Sequence, residues 1–344
     1  MKILKRIAIT ISVLTLSGTL FLGLKFGMRY YKSYQNEEIL TNTILDNEIS
    51  SSDYTKAERL KNGQILSKKI INLSEILPIW TTISENDSLL HAYKYLDNIN
   101  FYVIVYKSDL LLVNGIIAEP KKEGRFPVII FNRGGNKEIG KVAKAKTLYS
   151  LITTASKLAD EDYLLIASCY REEDEIGGDD LNDVLNLTET IKSIDKADAT
   201  RIGMYGWSRG GMMTYLSLKN STKIKTAVVG NGPSDLEALI IDRPEMDSRV
   251  CAKLIPEYDK NKTKELQKRS VINWADELDK NASLLILCGT EDEQVHPNQA
   301  DLIAHKLEEI NYDFKLEKVK TDHTFSNKKE ELNRLLLSWF KENL

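Results

Sequence analysis

From about residue 99 to its C-terminus the chain predicts an α/β domain, a mostly parallel central sheet with helices on both faces. Three observations carry that reading. Short apolar runs rich in Val, Ile and Leu alternate with longer segments of helical periodicity. One run leads directly into Gly206-Trp207-Ser208-Arg209-Gly210, a G-x-S-x-G pattern that sets a serine on a sharp strand-to-helix turn. Carboxylates and a histidine then follow in the loops after later strands.

The N-terminal residues read differently. From Ile7 to Leu24 no residue is charged; Lys2, Lys5 and Arg6 precede this stretch, and Lys25, Arg29 and Lys32 follow it. Its length lies at the lower edge of what crosses a bilayer as a helix and exceeds the usual core of a cleaved signal, and no A-x-A-like site follows. Residues 1–29 are therefore expected to be an uncleaved single-pass membrane anchor with the rest of the chain outside the cytoplasm. A cleaved export signal is the alternative. Positive charge at both ends says little about orientation. Residues 30–98 are polar with spaced aliphatics, such as Ile39, Leu40, Ile44 and Leu45, then Leu60, Ile65, Leu66, Ile70 and Ile71. These intervals fit two or three amphipathic helices, forming a stalk or a cap that packs on the next domain and shapes its cleft.

In the domain spanning 99–344, Phe101–Tyr106 and Leu110–Ala118 predict an antiparallel pair, and Val128–Asn132 a short buried strand. Ala143–Ala159 predicts a helix and Tyr163–Ser168 a strand. Leu181, Val184, Leu185 and Ile191 mark one helical face, and the strand Arg201–Tyr205 runs into the serine turn, with a helix over Met212–Leu218. Lys225–Gly230 and Leu284–Leu287 read as buried strands separated by a polar, helix-like insertion. Ala300, Ile303, Leu307 and Ile310 keep helical spacing, Asp313–Val319 alternates as an edge strand, and Leu332, Leu335, Leu336, Trp339 and Phe340 build a closing amphipathic helix.

Composition excludes several functions. The 344 residues carry a formal net charge of −3, with no basic and aromatic cluster, so neither nucleic acid nor an anionic surface is a natural partner. The three cysteines, Cys169, Cys251 and Cys288, are scattered and lack metal-ligand spacing; they read as buried or incidental thiols. No metal or organic cofactor is implied.

Ser208 is the candidate nucleophile, and a serine hydroxyl needs a base, usually a histidine oriented by a carboxylate. In α/β-hydrolases these follow in the order Ser, Asp or Glu, His. His91 precedes the serine, His305 lies inside a helix and His296 just before it, which leaves His323, in the loop after the edge strand. The acid is expected in Gly289-Thr290-Glu291-Asp292-Glu293-Gln294-Val295; Asp292 is preferred, with Glu291 and Glu293 as fallbacks. Asp322, next to His323, reads as a solvated loop residue.

The oxyanion hole would draw one donor from the Arg209 backbone N–H and another from Arg133-Gly134-Gly135-Asn136, where glycines let the backbone approach a substrate oxygen. Arg133 offers a bidentate partner for a substrate carboxylate, or equally for a structural one. Trp207, beside the nucleophile, is the other expected substrate contact. Glu172-Glu173-Asp174-Glu175 falls at the carboxyl edge of the sheet and reads first as a solvated loop, second as a site for a substrate amino group.

From about Tyr106 onward the chain resembles the catalytic domain of the prolyl oligopeptidase family of serine peptidases. The resemblance rests on Lys107-Ser108-Asp109 with Pro120 leading into the Gly-Gly loop, Arg171 with Gly178-Asp179-Asp180-Leu181-Asn182-Asp183-Val184, Arg201-Ile202-Gly203 into Gly206 through Gly211, Arg269-Ser270, Gly289 through Val295, and His323. It implies an α/β-hydrolase fold and the triad Ser208, Asp292 and His323. Family members commonly have His or Tyr before the Gly-Gly pair and Pro after it, where this chain has Arg133 and Asn136, which leaves the atom of the second oxyanion donor open. Larger members also carry a β-propeller, which residues 30–98 replace here. The implied activity is hydrolysis of a small peptide, with a small ester as the alternative substrate. A catalytically silent, anchored binding module is the reading from a different class.

Overall fold

A computed structural model describes residues 55–136 and 141–344. The expected anchor and the periodicity around Ile39–Leu45 lie outside these residues. Among the described residues no helix is long and apolar enough to cross a membrane.

Nine strands form one sheet: β1 (Ile65–Ile71), β2 (Ile99–Ser108), β3 (Leu111–Pro120), β4 (Phe126–Asn132), β5 (Leu164–Ser168), β6 (Ala197–Trp207), β7 (Thr226–Gly230), β8 (Ser283–Gly289) and β9 (Phe314–Val319). Their spatial order is β1-β2-β3-β5-β4-β6-β7-β8-β9. β2 and β3 pair antiparallel through a tight turn at Asp109, whose φ is +54°. β1 adds antiparallel to β2, and β3 pairs antiparallel with β5. From β5 to β9 all neighbours are parallel. Parallel neighbours need a crossover, and helices supply it.

In chain order the helices are α1 (Leu77–Ile83), which joins the antiparallel β1 and β2, α2 (Lys141–Thr154) between β4 and β5, α3 (Asp180–Leu185) before β6 and α4 (Arg209–Asn220) after it. Then come α5 (Leu236–Asp242) and α6 (Tyr258–Arg269) before β8, α7 (Asn298–Glu309) before β9, and the closing α8 (Lys329–Asn343). The predicted helix over Ala143–Ala159 is split, with a short turn Lys157–Asp160 after α2.

Strand alternation sends successive side chains to opposite faces, so two apolar clusters form. Val128, Ile130 and Met204 meet Met212 and Met213 of α4 and Ile303 and Leu307 of α7. Ile129, Phe131 and Tyr205 meet Leu148 and Leu151 of α2, Leu332, Leu336 and Phe340 of α8, and Ile79 and Ile83 of α1. Each such fully buried side chain is worth about 1.5–3 kcal/mol over exposure, which is why helices settle on both faces.

One expectation fails here. Ile65, Leu66, Ile70 and Ile71 were spaced for a helix, yet Ile65–Ile71 is the edge strand β1. Spacings of one, four and one residues suit either structure over so short a run. The β-branched isoleucines favour the strand. Gly63, at φ +82° with no room for a Cβ against Glu189, breaks the chain just before it. Residues 91–98 form a 3₁₀ segment that packs under the second cluster through Leu96.

Candidate active site

The chain leaves β4 toward β5 on one side and returns to β6 on the other, so a crevice opens at the carboxyl ends of β4 and β6. Ser208 stands there alone between β6 and α4, at φ +56° and ψ −124°. A non-glycine residue in this region is strained and persists only where its surroundings enforce it. Enforcement is visible: Ser208 N donates to Gly230 O at 2.8 Å, and Gly211 N donates to Ser208 O at 2.8 Å. The flanking glycines are required by close approach. A Cβ on Gly206 would stand 2.0 Å from Gly210 O, and one on Gly210 1.9 Å from Asn132 O.

His323 follows β9. Its carbonyl accepts from Trp207 Nε1 at 3.0 Å and from Asn231 Nδ2 at 2.9 Å, which ties the histidine loop to the residue beside Ser208. Its Nδ1 lies 2.7 Å from Asp292 Oδ2. A carboxylate only accepts, so Nδ1 carries the proton and Nε2 is left as the acceptor. Asp292 is itself held, since Oδ1 accepts from Gln294 N at 2.7 Å and Val295 N at 3.0 Å. Glu291 and Glu293, the fallbacks, are exposed, as are His296 and His305. Asp322 turns outward and caps the backbone N–H groups of Thr324 and Ser326.

The loop after β4 departs from expectation. Arg133 is buried; Nη1 donates to Gly134 O at 3.1 Å and Nη2 to Cys169 O at 3.3 Å, and its guanidinium lies over the Tyr170 ring at 4.9 Å. It is not on the cavity wall and pairs with no carboxylate among the described residues, so neither expected role for it is seen. Burial pulls this guanidinium below its ordinary value.

The acidic run also differs from the solvated loop expected of it. Asp174 is buried and takes Arg209 Nη1 and Nη2 at 2.6 and 2.7 Å, while Asp180 takes Nη2 at 2.8 Å. Burial opposes the Arg209 charge, but the two carboxylates overcome it and raise its value. Nothing local marks Asp174 for this, because its partner lies 35 positions away.

A cavity of about 1080 Å³ brings the site together, lined by Ser208, His323, Trp207, Arg209, Gly134 and Gly135. Asp292 stands behind His323. Trp207 reaches the wall, but its indole N–H is committed to the histidine loop and its ring packs edge-on against Phe325 at 5.3 Å. The sequence reading missed Tyr93 and Tyr95, which enter the wall from the 3₁₀ segment, and Leu236 and Leu239 of α5. His91 and Ala92 of the same 3₁₀ segment also line the cavity. Among the described residues no three His, Cys, Asp or Glu side chains converge as a metal site. All three cysteines are free and buried.

Residues 170–344 match the sequence model of the prolyl oligopeptidase family. The uncharacterized peptidase YtmA of Bacillus subtilis is 24% identical over 220 residues, 62% of this chain and 81% of that one. Among solved structures, the acylaminoacyl peptidase of Pyrococcus horikoshii is similar with a TM-score of 0.59 at 22% identity, over 74% of this chain and 43% of that one. This chain thus spans less than half the length of that peptidase. Esterase B of Lactobacillus rhamnosis is similar with a TM-score of 0.57 at 13% identity, over 72% of this chain and 87% of that one. These likenesses show the α/β-hydrolase fold.

Proposed function

Because the chain belongs to the prolyl oligopeptidase family, we propose that it is a serine hydrolase that cleaves peptide amide bonds, with Ser208, His323 and Asp292 as its catalytic triad. Ser208 Oγ attacks the carbonyl carbon as His323 Nε2 takes its proton. Asp292 holds the tautomer and offsets the charge of the imidazolium formed. The tetrahedral oxyanion is met by the Arg209 N–H at the positive end of α4 and by the glycine loop. His323 then gives its proton to the departing amine, leaving an acyl-enzyme that water hydrolyses by the same steps in reverse order.

The observation that carries this reading is the 2.7 Å contact of His323 Nδ1 with buried Asp292, on a loop tied to the neighbour of a strained Ser208. The same machinery cleaves esters, and the apolar walls of α5 would suit a small acyl group, so a carboxylesterase is the alternative. The uncharged stretch Ile7–Leu24 between basic residues supports a membrane anchor for the domain.

Fluorophosphonate labelling of the protein, with Ser208→Ala as control, tests the nucleophile. Labelling that disappears in the control is expected. Equal labelling of both proteins, or of neither, would sink the reading. Rates on matched peptide amides and short-chain esters then separate peptidase from esterase.

A further inference from the structure

The two glycines of the loop after β4 do little to fix it. Gly134 and Gly135 carry no side chains to pack, and Gly135 stands at φ +86°. Their carbonyls are held by side chains instead. Arg133 Nη1 takes the Gly134 carbonyl at 3.1 Å, and Arg209 Nη1 reaches the Gly135 carbonyl at 3.4 Å. Both guanidinium groups lie over one buried ring, Tyr170, at 4.9 and 4.8 Å. Tyr170 sits at φ +60°, and its hydroxyl donates back to Arg133 O at 3.4 Å. A buried cation without a carboxylate is costly, and an apolar side chain of similar volume would fill the space with no such cost.

Peptide geometry turns this hold into a direction. In a trans peptide the C=O and the following N–H point opposite ways. Fixing Gly134 O therefore fixes the Gly135 N–H, directed away from the guanidinium. Among the described residues neither that N–H nor the Arg209 N–H donates to a protein acceptor. Gly134 lies against the serine, since a Cβ added there would stand 3.1 Å from Ser208 Cβ and 3.8 Å from Oγ. A charge-assisted bond on the carbonyl also polarises the peptide, strengthening its N–H as a donor.

We propose that Arg133 is a positioning residue of the oxyanion site: by holding the Gly134 carbonyl it aims the Gly135 N–H at the developing oxyanion, with Tyr170 as the platform that holds the guanidinium. The proposal rests on the serine-hydrolase reading. Preset donors act without reorganising as charge develops, so the benefit falls on the transition state and not on substrate binding.

The test uses the full chain, with p-nitrophenyl butyrate hydrolysis normalised to sites titrated by a fluorophosphonate. Arg133→Met is expected to lower kcat per titrated site by about 10- to 100-fold with KM within about twofold. Arg133→Lys should fall between, because a compact ammonium lacks the planar fork with which the guanidinium reaches Gly134 O and Cys169 O from two separate nitrogens. An alkyl boronic acid, which binds serine as a tetrahedral anion, should lose affinity in step with kcat. A merely structural role would lower the melting temperature and the number of titrated sites while leaving kcat per site and boronate affinity unchanged, and that result would overturn the proposal. If Arg133→Met does not fold, Arg133→Lys decides by the same criteria. A wild-type protein that neither labels nor hydrolyses would overturn the serine-hydrolase reading itself, and this proposal with it, whereas a labelled wild type matched by its variants overturns this proposal alone.

Discussion

Two buried carboxylate clusters flank Ser208, and they are built to opposite ends. On one side Asp292, with a side chain 0% exposed, holds His323 at 9%. On the other, Asp174 and Asp180, at 3% and 0%, hold Arg209 at 6%. Burial does not distinguish them. The partners do: an imidazole has a second ring nitrogen free to take a proton and here lines the cavity, whereas a guanidinium offers only donors and keeps its charge. On the proposed mechanism the first cluster passes a proton along. The second can only hold shape, fixing the start of α4 and the acidic loop. A buried charge therefore becomes a candidate for chemistry through what its partner can give up, and not through its burial.

The largest expected effect separates the two clusters by function. On the proposed mechanism, Asp292→Asn keeps the packing but favours the wrong tautomer of His323, and kcat should fall by about 10⁴. Glu291→Gln and Glu293→Gln, on exposed carboxylates, should stay within about twofold. Steady-state kinetics with unfolding curves checks this; near-normal turnover in Asp292→Asn would remove it from the triad.

The second cluster should fail in stability. Arg209→Met retains the backbone N–H but strands two buried carboxylates, a loss of about 3–5 kcal/mol. Urea unfolding reads this directly. A loss below about 1 kcal/mol would mean that water or a nearby cation compensates them, and the contrast between the clusters would weaken.

What was legible in the sequence follows from where each constraint is encoded. The serine turn is a local constraint: Gly206 and Gly210 stand where backbone crowds, and that need is written in adjacent positions. Asp292 and His323 could be read because the chain order of such sites and their loop positions after β8 and β9 are set by the sheet. Asp174 could not, because its four-residue acidic setting looks solvated until Arg209 is brought to it. Arg133 could not either. The direction of its side chain depends on Tyr170, whose positive φ no local pattern announces. For β1 the failure was one of period: two pairs of aliphatics within seven residues suit a helix or a strand, and only pairing with β2 settles which.

A smaller effect is expected from the frame around the first cluster. Trp207→Phe keeps a ring against Phe325 but removes the N–H bonded to His323 O, leaving Asn231 as its remaining donor. The cost should be about 1 kcal/mol. Labelling at Ser208 should slow more than that stability change explains, since the His323 carbonyl loses one of its two donors. Labelling at the wild-type rate would show that the Trp207 bond adds nothing to the hold that Asn231 and Asp292 have on His323.

The smallest effect concerns Asp322, a carboxylate on the same loop that faces water. Its bonds from the Ser326 hydroxyl and the N–H groups of Ser326 and Thr324 pull its value down to about 2. The unfolded reference is near 3.9. A depressed value means that the stabilisation is present above about pH 4 and is lost as pH falls through about 2. Asp322→Ala should therefore be less stable than wild type at neutral pH, by a small amount because the group is solvated, and the difference should shrink steadily from pH 4 to pH 2. Urea unfolding at matched pH values measures it. A difference that stays constant over that window would assign the effect to packing of the loop and not to the charge. Asp322 would then have no part in the contrast between carboxylates that act through a titrating partner and those that only brace the chain.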